Sequence, residues 1–474
     1  MENRNIDMGN GNLLLIKGDV TGIQQYVFSV KSENAAKQLK MRSYNVQKIC
    51  HDLVEEIGED PLIVGGGHFL IKATKTTDWN DNYWNNLKKK YEKRDRVNNL
   101  NIVLSKIEIP DEQSLEENYS DYIRKLEIQA GKDKLQQGRY RMTFFEPYTL
   151  ATTYVNKEPE SPNDIPLWGD CKENSDNIHT PKKGIIDFDS IAAFAKNRTG
   201  YDLLAALKLD VDNLGECFRN LKNRNQSEEL SNALSDFFDF NSKKIRDAGS
   251  FHNGKSIHRF KDNIYLVFAG GDDTFVIGAY DAILEFAKIL HAEFETFAKQ
   301  LRKKIPQLTK DLTFSASITF FKPTFPVVKI AAQAEEDLSL AKNLSPQKNR
   351  ISVMGEVFTW KEYDCLLEIT DKLVDLVKNK GESKALIQRI RASRTGFASA
   401  VRHTNQGKLE IPRVWRLFYF VRDVDDKNKT EIEGIIKNYE ELIMDAFLKR
   451  GTANPMLFPI AARLAEYKLK NHKS

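Results

Sequence analysis

Hydrophobic positions along the chain change period several times, and the changes repeat. Residues 13–20, LLLIKGDV, form a short apolar run followed by Thr-Gly, which predicts a buried strand. Residues 22–57 carry helical spacing, with a break near 31–34. In PLIVGGGHFLIKA (61–73) two apolar runs flank glycines and a histidine, the pattern of a β-hairpin. Trp84, Leu87 and Tyr91 recur at helical spacing, and IVLSKIEI (102–109) is a further strand. The order β-α-β-β-α-β is that of a ferredoxin-like unit.

The same order then returns. LLAALKLDV (203–211) is a strand-like run ending in acidic residues, and helical sequence follows over 214–245. IYLVFAGGDDTFVI (264–277) again sets two apolar runs around a glycine turn. Ile283, Phe286, Ala287, Leu290, Phe294 and Phe297 trace one face of a long helix, and LTFSASITF (312–320) alternates as a strand. Between the copies, 116–130 reads as helix and 159–180 as loop; from about Thr359 the pattern is helical to the end. The expected fold is α+β: two ferredoxin-like units with a helical insert and a C-terminal helical bundle. The expected divisions are 1–110, 111–190, 191–358 and 359–474.

Composition narrows the class. A chain of 474 residues is long enough for several domains and needs no disulfide or metal staple. Charge is near balance, 71 − 67 = +4, which excludes a strongly basic nucleic-acid arm but not a local basic groove. The four cysteines lie far apart without a CxxC pair, so they make neither a disulfide framework nor a zinc ribbon. The polar first residues carry no signal core, and no apolar run approaches the ~20 residues of a membrane span. A cytoplasmic, globular protein with no membrane contact is expected.

The second unit carries the candidate chemistry. Asp210 and Asp212 end its first strand, and Asp272 and Asp273 sit in the hairpin turn Gly-Gly-Asp-Asp. In this topology the first strand lies beside the hairpin, so the clusters converge at one end of the sheet. Alternation along a strand puts Asp210 and Asp212 on one face. Converging carboxylates suit Mg2+ or Mn2+, hard cations that keep waters and substrate phosphates. Two such ions can drive a phosphoryl transfer. Gly270 and Gly271 leave the backbone open to a triphosphate. Gly-Gly-Asp-Asp is also ordinary hairpin-turn chemistry, and Asp212 or Asn213 is also a good helix cap. In QAEEDLSLAKNLSPQKNR (333–350), Ala334, Leu338 and Ala341 give a helical face, with Lys342, Lys348 and Arg350 able to meet outer phosphates or simply to be solvated.

LDVDNLG, GGDD and AEEDLSLAK–KNR resemble the palm (cyclase-type) domain shared by GGDEF diguanylate cyclases and the large subunit of type III CRISPR effector complexes. GDVTGIQQYVF (18–28), AAKQLKMRSY (35–44) and GGGHFLIKA are similar to the degenerate first palm of the CRISPR subunit, which the GGDEF families lack. The resemblance implies a nucleotidyltransferase, switched on by target RNA in a guide-RNA complex with other subunits. It would join ATP into a cyclic oligoadenylate by attack of a ribose hydroxyl on an α-phosphate. By position, Asp210 and Asp272 would bind metal with Asp273 close by, and the Val211 carbonyl would assist. Gly270, Gly271, Lys342 and Lys348 would contact phosphates. Thr21 and Gly22 would line a second nucleotide pocket between the palms. The first palm has Gly67-His68 in place of Asp272-Asp273, so it should bind but not catalyse.

Many family members carry an N-terminal HD nuclease domain. Here the first palm strand begins near Asn12, so none is expected, and His51-Asp52 reads as a surface helix pair. With only Cys171 between the palms, that segment is expected to be metal-free. Trp79, Trp84, Trp168, Trp360 and Trp415 read as core, and the basic run 86–96 as a solvated helix face, the alternative being a guide-RNA contact. Alternative functions are a palm enzyme that joins AMP to another adenosine-containing metabolite, a non-catalytic RNA-binding scaffold, and a plain diguanylate cyclase.

Overall fold

The computed structural model describes residues 13–30, 35–58, 61–65, 67–74, 79–92, 100–140, 188–221, 223–253, 256–270, 273–393, 424–448 and 453–471, with 417, 419 and 422. Trp168, Trp415, Cys171 and the loop expected at 159–180 lie outside them.

The first unit is a four-stranded antiparallel sheet of β1 (Leu13–Thr21), β2 (Pro61–Gly65), β3 (His68–Thr74) and β4 (Asn101–Ile109), in the order β2-β3-β1-β4. Helices α1 (Ile23–Phe28), α2 (Ala35–Ile57) and α3 (Asp81–Glu92) supply the rest of the pattern. Both faces of the sheet are covered, which is why β1 opens with four consecutive apolar residues, Leu13–Ile16. Leu14, Ile16 and Val20 join the main core with Phe69 and Ile71. Leu15 points the other way, into a second core with Leu70, Ile109, Tyr119 and Leu126. That second face is closed by α4 (Glu112–Glu117) and α5 (Tyr119–Tyr140), helices of the segment between the two units. Gly18 is glycine because the Phe69 ring crosses it; a Cβ there would lie 2.1 Å from the ring.

The second unit follows α6 (Phe188–Thr199). Its six-stranded sheet uses β5 (Leu204–Val211), β8 (Ile264–Gly270), β9 (Asp273–Ala279), β10 (Phe314–Phe321), β11 (Arg350–Val353) and β12 (Glu356–Thr359), in the order β12-β11-β10-β5-β9-β8. β6 (Ser250–Asn253) and β7 (Ser256–Arg259) form a separate hairpin. The helices are α7 (Leu214–Asn220), α8 (Arg224–Ser235), α9 (Ser242–Ala248), α10 (Tyr280–Lys304) and α11 (Val327–Asn343). The α10 face read from sequence is the one that is buried, through Ile283, Phe286, Ala287, Leu290 and Phe294. The helical tail begins at α12 (Trp360–Lys378), started by a capping box between Thr359 and Glu362, and continues with α13 (Ala385–Ala392), α14 (Asp426–Phe447) and α15 (Leu457–Lys468).

The two units repeat one strand order, β2-β3-β1-β4 in the first and β8-β9-β5-β10 in the second. Each first strand is followed by a residue of left-handed conformation that opens the next helix, Gly22 (φ 81°) in one and Asn213 (φ 56°) in the other. The connection is reciprocal: α1 and α2 of the first unit pack toward the second sheet, and α8 of the second returns to β2. The Phe28 ring meets Phe275 edge-on at 4.7 Å, and the Tyr265 hydroxyl donates to the Ala36 carbonyl at 2.6 Å. Burying an aromatic ring such as Phe28 is worth about 1.5–3 kcal/mol, so the interface is held mainly by apolar contact.

Candidate active site

Strand register brings the acidic residues together. Asp210, one residue from the end of β5, stands opposite Asp273, the first residue of β9, and Asp273 stands opposite Gly270 at the end of β8. Both carboxylates are partly open to solvent, with side-chain exposures of 32% and 31%. Gly271 and Asp272, at the tip of this hairpin, lie outside the described residues. Among the described residues no group of three or more His, Cys, Asp or Glu is arranged to hold a metal ion. Two cross-strand carboxylates on a rigid sheet nevertheless fit Mg2+ or Mn2+, since Mg2+ is commonly held by one or two carboxylates with phosphate and water completing the shell.

Two lysines neutralise these carboxylates. Lys342 Nζ, on α11, lies 2.5 Å from Asp210 Oδ1. Lys208, on the same face of β5 and almost fully buried, is 3.8 Å from Asp273 Oδ2 and hydrogen-bonds Glu335. Glu335 and Lys342 are seven residues apart, two helical turns, so one face of α11 presents both. Glu335 also accepts from Gln24 Nε2 of the first unit at 3.3 Å. Burial pushes the Glu335 carboxyl up, but the hydrogen bond and charge of Lys208 and the bond from Gln24 outweigh it and hold the pKa below the ordinary glutamate range. Sequence reasoning missed Glu335 and Lys208. The signal was a lysine at a strand position otherwise buried, which in a sheet core requires a paired acid.

Asp212 keeps the sheet face of Asp210, since its carboxylate bonds Ser315, the β10 residue that pairs with Asp210, but it is buried rather than open. β5 ends at Val211, and the Asp212 N–H still bonds the Thr313 carbonyl just before β10 at 2.8 Å. The Asp212 carboxylate is 4% exposed and accepts from the Thr313 and Ser315 hydroxyls, at 2.9 and 2.8 Å, and from the Asn349 amide at 2.9 Å. It is a structural anchor. It ties the strand end to the turn at Lys348 and Asn349, two consecutive non-glycine residues at φ 52°. Strain of that kind persists only where neighbours over-determine it. Lys348 is thereby held in the same neighbourhood, and Arg350 opens β11 beyond it.

The first unit presents the counterpart. β1 pairs Asp19 with His68, as β5 pairs Asp210 with Asp273, and Gly65 pairs His68, as Gly270 pairs Asp273. Asp19 thus occupies the place of Asp210, ion-paired with Lys134 of α5. The reading that this unit lacks the carboxylates is refined: one of the two positions keeps its carboxylate, and His68 stands in the other. The shared string Lys-x-Asp-Val at 17–20 and 208–211 was the available signal. Thr21 ends β1, its hydroxyl donating to the Asn101 carbonyl at 3.4 Å. Exposed Gly22 caps α1, two residues before the Gln24 that reaches Glu335. The His51-Asp52 pair lies within α2, with His51 exposed, and Trp84 and Trp360 are core residues.

Residues 203–352 match the family model for the second palm domain of Cas10/Cmr2, and residues 12–149 match that for domain B of the Csm1 subunit. The chain belongs to the Cas10/Csm1 family. The β5–β10 unit is therefore the second palm. Among curated relatives, the Cas10/Csm1 single-strand-specific deoxyribonuclease (subtype III-A) of Methanocaldococcus jannaschii is 26% identical over an alignment covering 79% of this chain and 64% of the relative. The protein of the same name in Enterococcus italicus is 23% identical, over 74% of this chain and 55% of the relative. The chain thus spans 55–64% of the length of these relatives. A crystallised Csm1–Csm4 cassette in complex with cA4 superposes with a TM-score of 0.67 at 19% identity, covering 97% of this chain and 70% of that one. The same cassette type with AMPPNP gives 0.66 at 20% identity, over 97% and 70%. Csm1 of T. onnurineus gives 0.64 at 20%, over 97% and 70%. Among the described residues no helix is long and apolar enough to cross a membrane.

Proposed function

We propose that this chain is a metal-dependent nucleotidyltransferase of a type III CRISPR complex that converts ATP into a cyclic oligoadenylate. The observation that carries the reading is the Asp210–Asp273 cross-strand pair with Lys342 against it. Support comes from related folds crystallised with cA4, with AMPPNP and with linear pppApA. The chemistry that a bound Mg2+ or Mn2+ would supply is Lewis-acid activation of the attacking hydroxyl and relief of charge on the leaving pyrophosphate.

The chain's own residues do the rest. Asp210 and Asp273 would hold the cation, and Asp272, outside the described residues, is proposed from sequence as a further ligand. Gly270 and Gly271 keep the approach to the triphosphate free of side chains. Lys342 exchanges its partner, from the Asp210 carboxylate to incoming phosphate, and Lys348 adds a second positive charge. Thr21 and Gly22 of the first palm border the second nucleotide, whose ribose hydroxyl is the nucleophile. His68 supplies no hard-oxygen ligand where Asp273 does, so turnover belongs to the second palm. The proposed partners are ATP, a Csm4-type subunit, and guide and target RNA bound by the assembled complex.

Incubating the chain with ATP and Mg2+, alone and assembled with target RNA, tests the reading through pyrophosphate release and product mass. A cyclic (Ap)n product with RNA-dependent yield is expected. A linear adduct of AMP with another metabolite, or no pyrophosphate from the assembled complex, contradicts it.

Glu335 offers a finer check. Glu335→Gln keeps the shape but removes the charge that holds Lys208, leaving that buried cation to Asp273 alone. Half-saturating Mn2+, measured by calorimetry, should rise about tenfold, as for supporting groups around other metal sites. Lys208→Met together with Glu335→Leu removes both charges and should recover most of that loss.

A further inference from the structure

The two palms close their equivalent sheet faces differently. In the second palm, the face carrying Lys208 and Asp210 is plugged by the Phe28 ring, 4.7 Å from Phe275 and 6.2 Å from Phe268. Register maps these positions onto the first palm. Lys208 pairs with Phe275 as Lys17 pairs with Leu70, and Phe268 pairs with Phe275 as Ile63 pairs with Leu70. The plug is also exchanged. Phe28 lies nine residues beyond Asp19, and the residue nine beyond Asp210 is Arg219 on α7. Two aromatic wall residues and an aromatic plug are thus replaced by isoleucine, leucine and arginine.

The result is a cavity of about 240 Å3. Lys17, Ile63 and Leu70 form its floor on the first-palm sheet, and Leu214, Phe218 and Arg219 its α7 wall, while α5 and α8 close the remaining sides. Its lining is mostly apolar; the cations Lys17 and Arg219, the acid Glu127 and His68 also line it, and exposed Arg219 donates its Nε–H to the Gly215 carbonyl at 3.1 Å. A cavity of about 150 Å3 already accepts a benzene ring. Pockets for larger, drug-sized ligands run from about 300 Å3 upward. The space therefore suits one ring system rather than a whole nucleotide.

We propose that this cavity is a ligand site for a small planar aromatic anion, whose ring takes the place that Phe28 fills in the other palm and whose charge meets Lys17 and Arg219. The ligand would be clamped between the first-palm sheet and the start of α7, at Leu214 and Gly215, four and five residues past Asp210. That position gives it a direct hold on the helix that follows the working strand. The site stands on the cavity and its register, not on the reading of Asp210 and Asp273 as metal ligands.

Calorimetric titration of the full chain with 2-naphthoate and with its neutral analogue 2-naphthamide tests this. The wild-type chain should bind naphthoate one to one and about tenfold more tightly than the amide. Leu70→Phe and, independently, Ile63→Phe rebuild the aromatic wall of the other palm; each should cut naphthoate affinity at least about tenfold without lowering the melting temperature. Lys17→Met should keep amide binding and lose the preference for the anion. Absence of naphthoate binding to the wild-type chain, unchanged binding in either folded phenylalanine variant, or equal affinity for acid and amide overturns the proposal.

Discussion

Asp210→Asn should remove almost all pyrophosphate release from ATP while leaving the fold intact. The carboxylate is about one-third exposed and ion-paired with Lys342, and a pair this open to solvent contributes about 0–1 kcal/mol to stability. Its contribution to the transition state is of another size. Losing one hard-oxygen ligand at the point where charge develops should cost about a thousandfold in rate, roughly 4 kcal/mol. Asp273→Asn should behave similarly, because the register places it directly across from Asp210. Thermal unfolding and steady-state pyrophosphate assays on the same preparations check both halves of the expectation.

Asp212→Ala, only two residues away, should show the opposite profile. The buried carboxylate satisfies two hydroxyls and one backbone amide. Truncation leaves the Asn349 amide without its acceptor, and an unsatisfied buried donor costs about 1–3 kcal/mol, with further loss from the two hydroxyl bonds. A destabilisation of about 3–4 kcal/mol is expected in denaturant unfolding. The turn at Lys348 and Asn349 then loses the contact that helps hold its left-handed backbone. Remaining activity should fall through a higher KM for ATP, with Mn2+ affinity little changed. If Asp212 were instead a metal ligand, the loss would appear in Mn2+ affinity with stability preserved.

These two aspartates show where a sequence pattern is enough and where it stops. The duplicated β-α-β-β-α-β order was readable because each strand is buried on both faces and each hairpin is marked by glycine. The α10 stripe was readable because its apolar positions keep one period from Ile283 to Phe297, about four turns of helix. β11 and β12 were not foreseen; each has four residues, too short to show alternation. Alternation put Asp212 on the face of Asp210, but it could not show that the Thr313 and Ser315 hydroxyls and the distant Asn349 amide occupy its carboxylate. Glu335 was invisible for a different reason: its partners, Lys208 and Gln24, are 127 and 311 residues away in sequence. Asp19 was legible in principle. Its Lys-x-Asp-Val string matches that of the second palm, but the eye is drawn to the hairpin, where Gly67-His68 has replaced the acids.

The account rests on Asp210 and Asp273 acting together on one cation beside a triphosphate. Crystals of the chain grown with Mn2+ and a non-hydrolysable ATP analogue test that most directly through the anomalous signal of manganese. The account predicts a manganese peak in contact with carboxylate oxygens of both residues and with phosphate oxygens of the analogue, and Lys342 moved from Asp210 to the phosphates. An analogue bound with no manganese at this pair, or manganese held at the Asp19–His68 pair of the first palm instead, would contradict it.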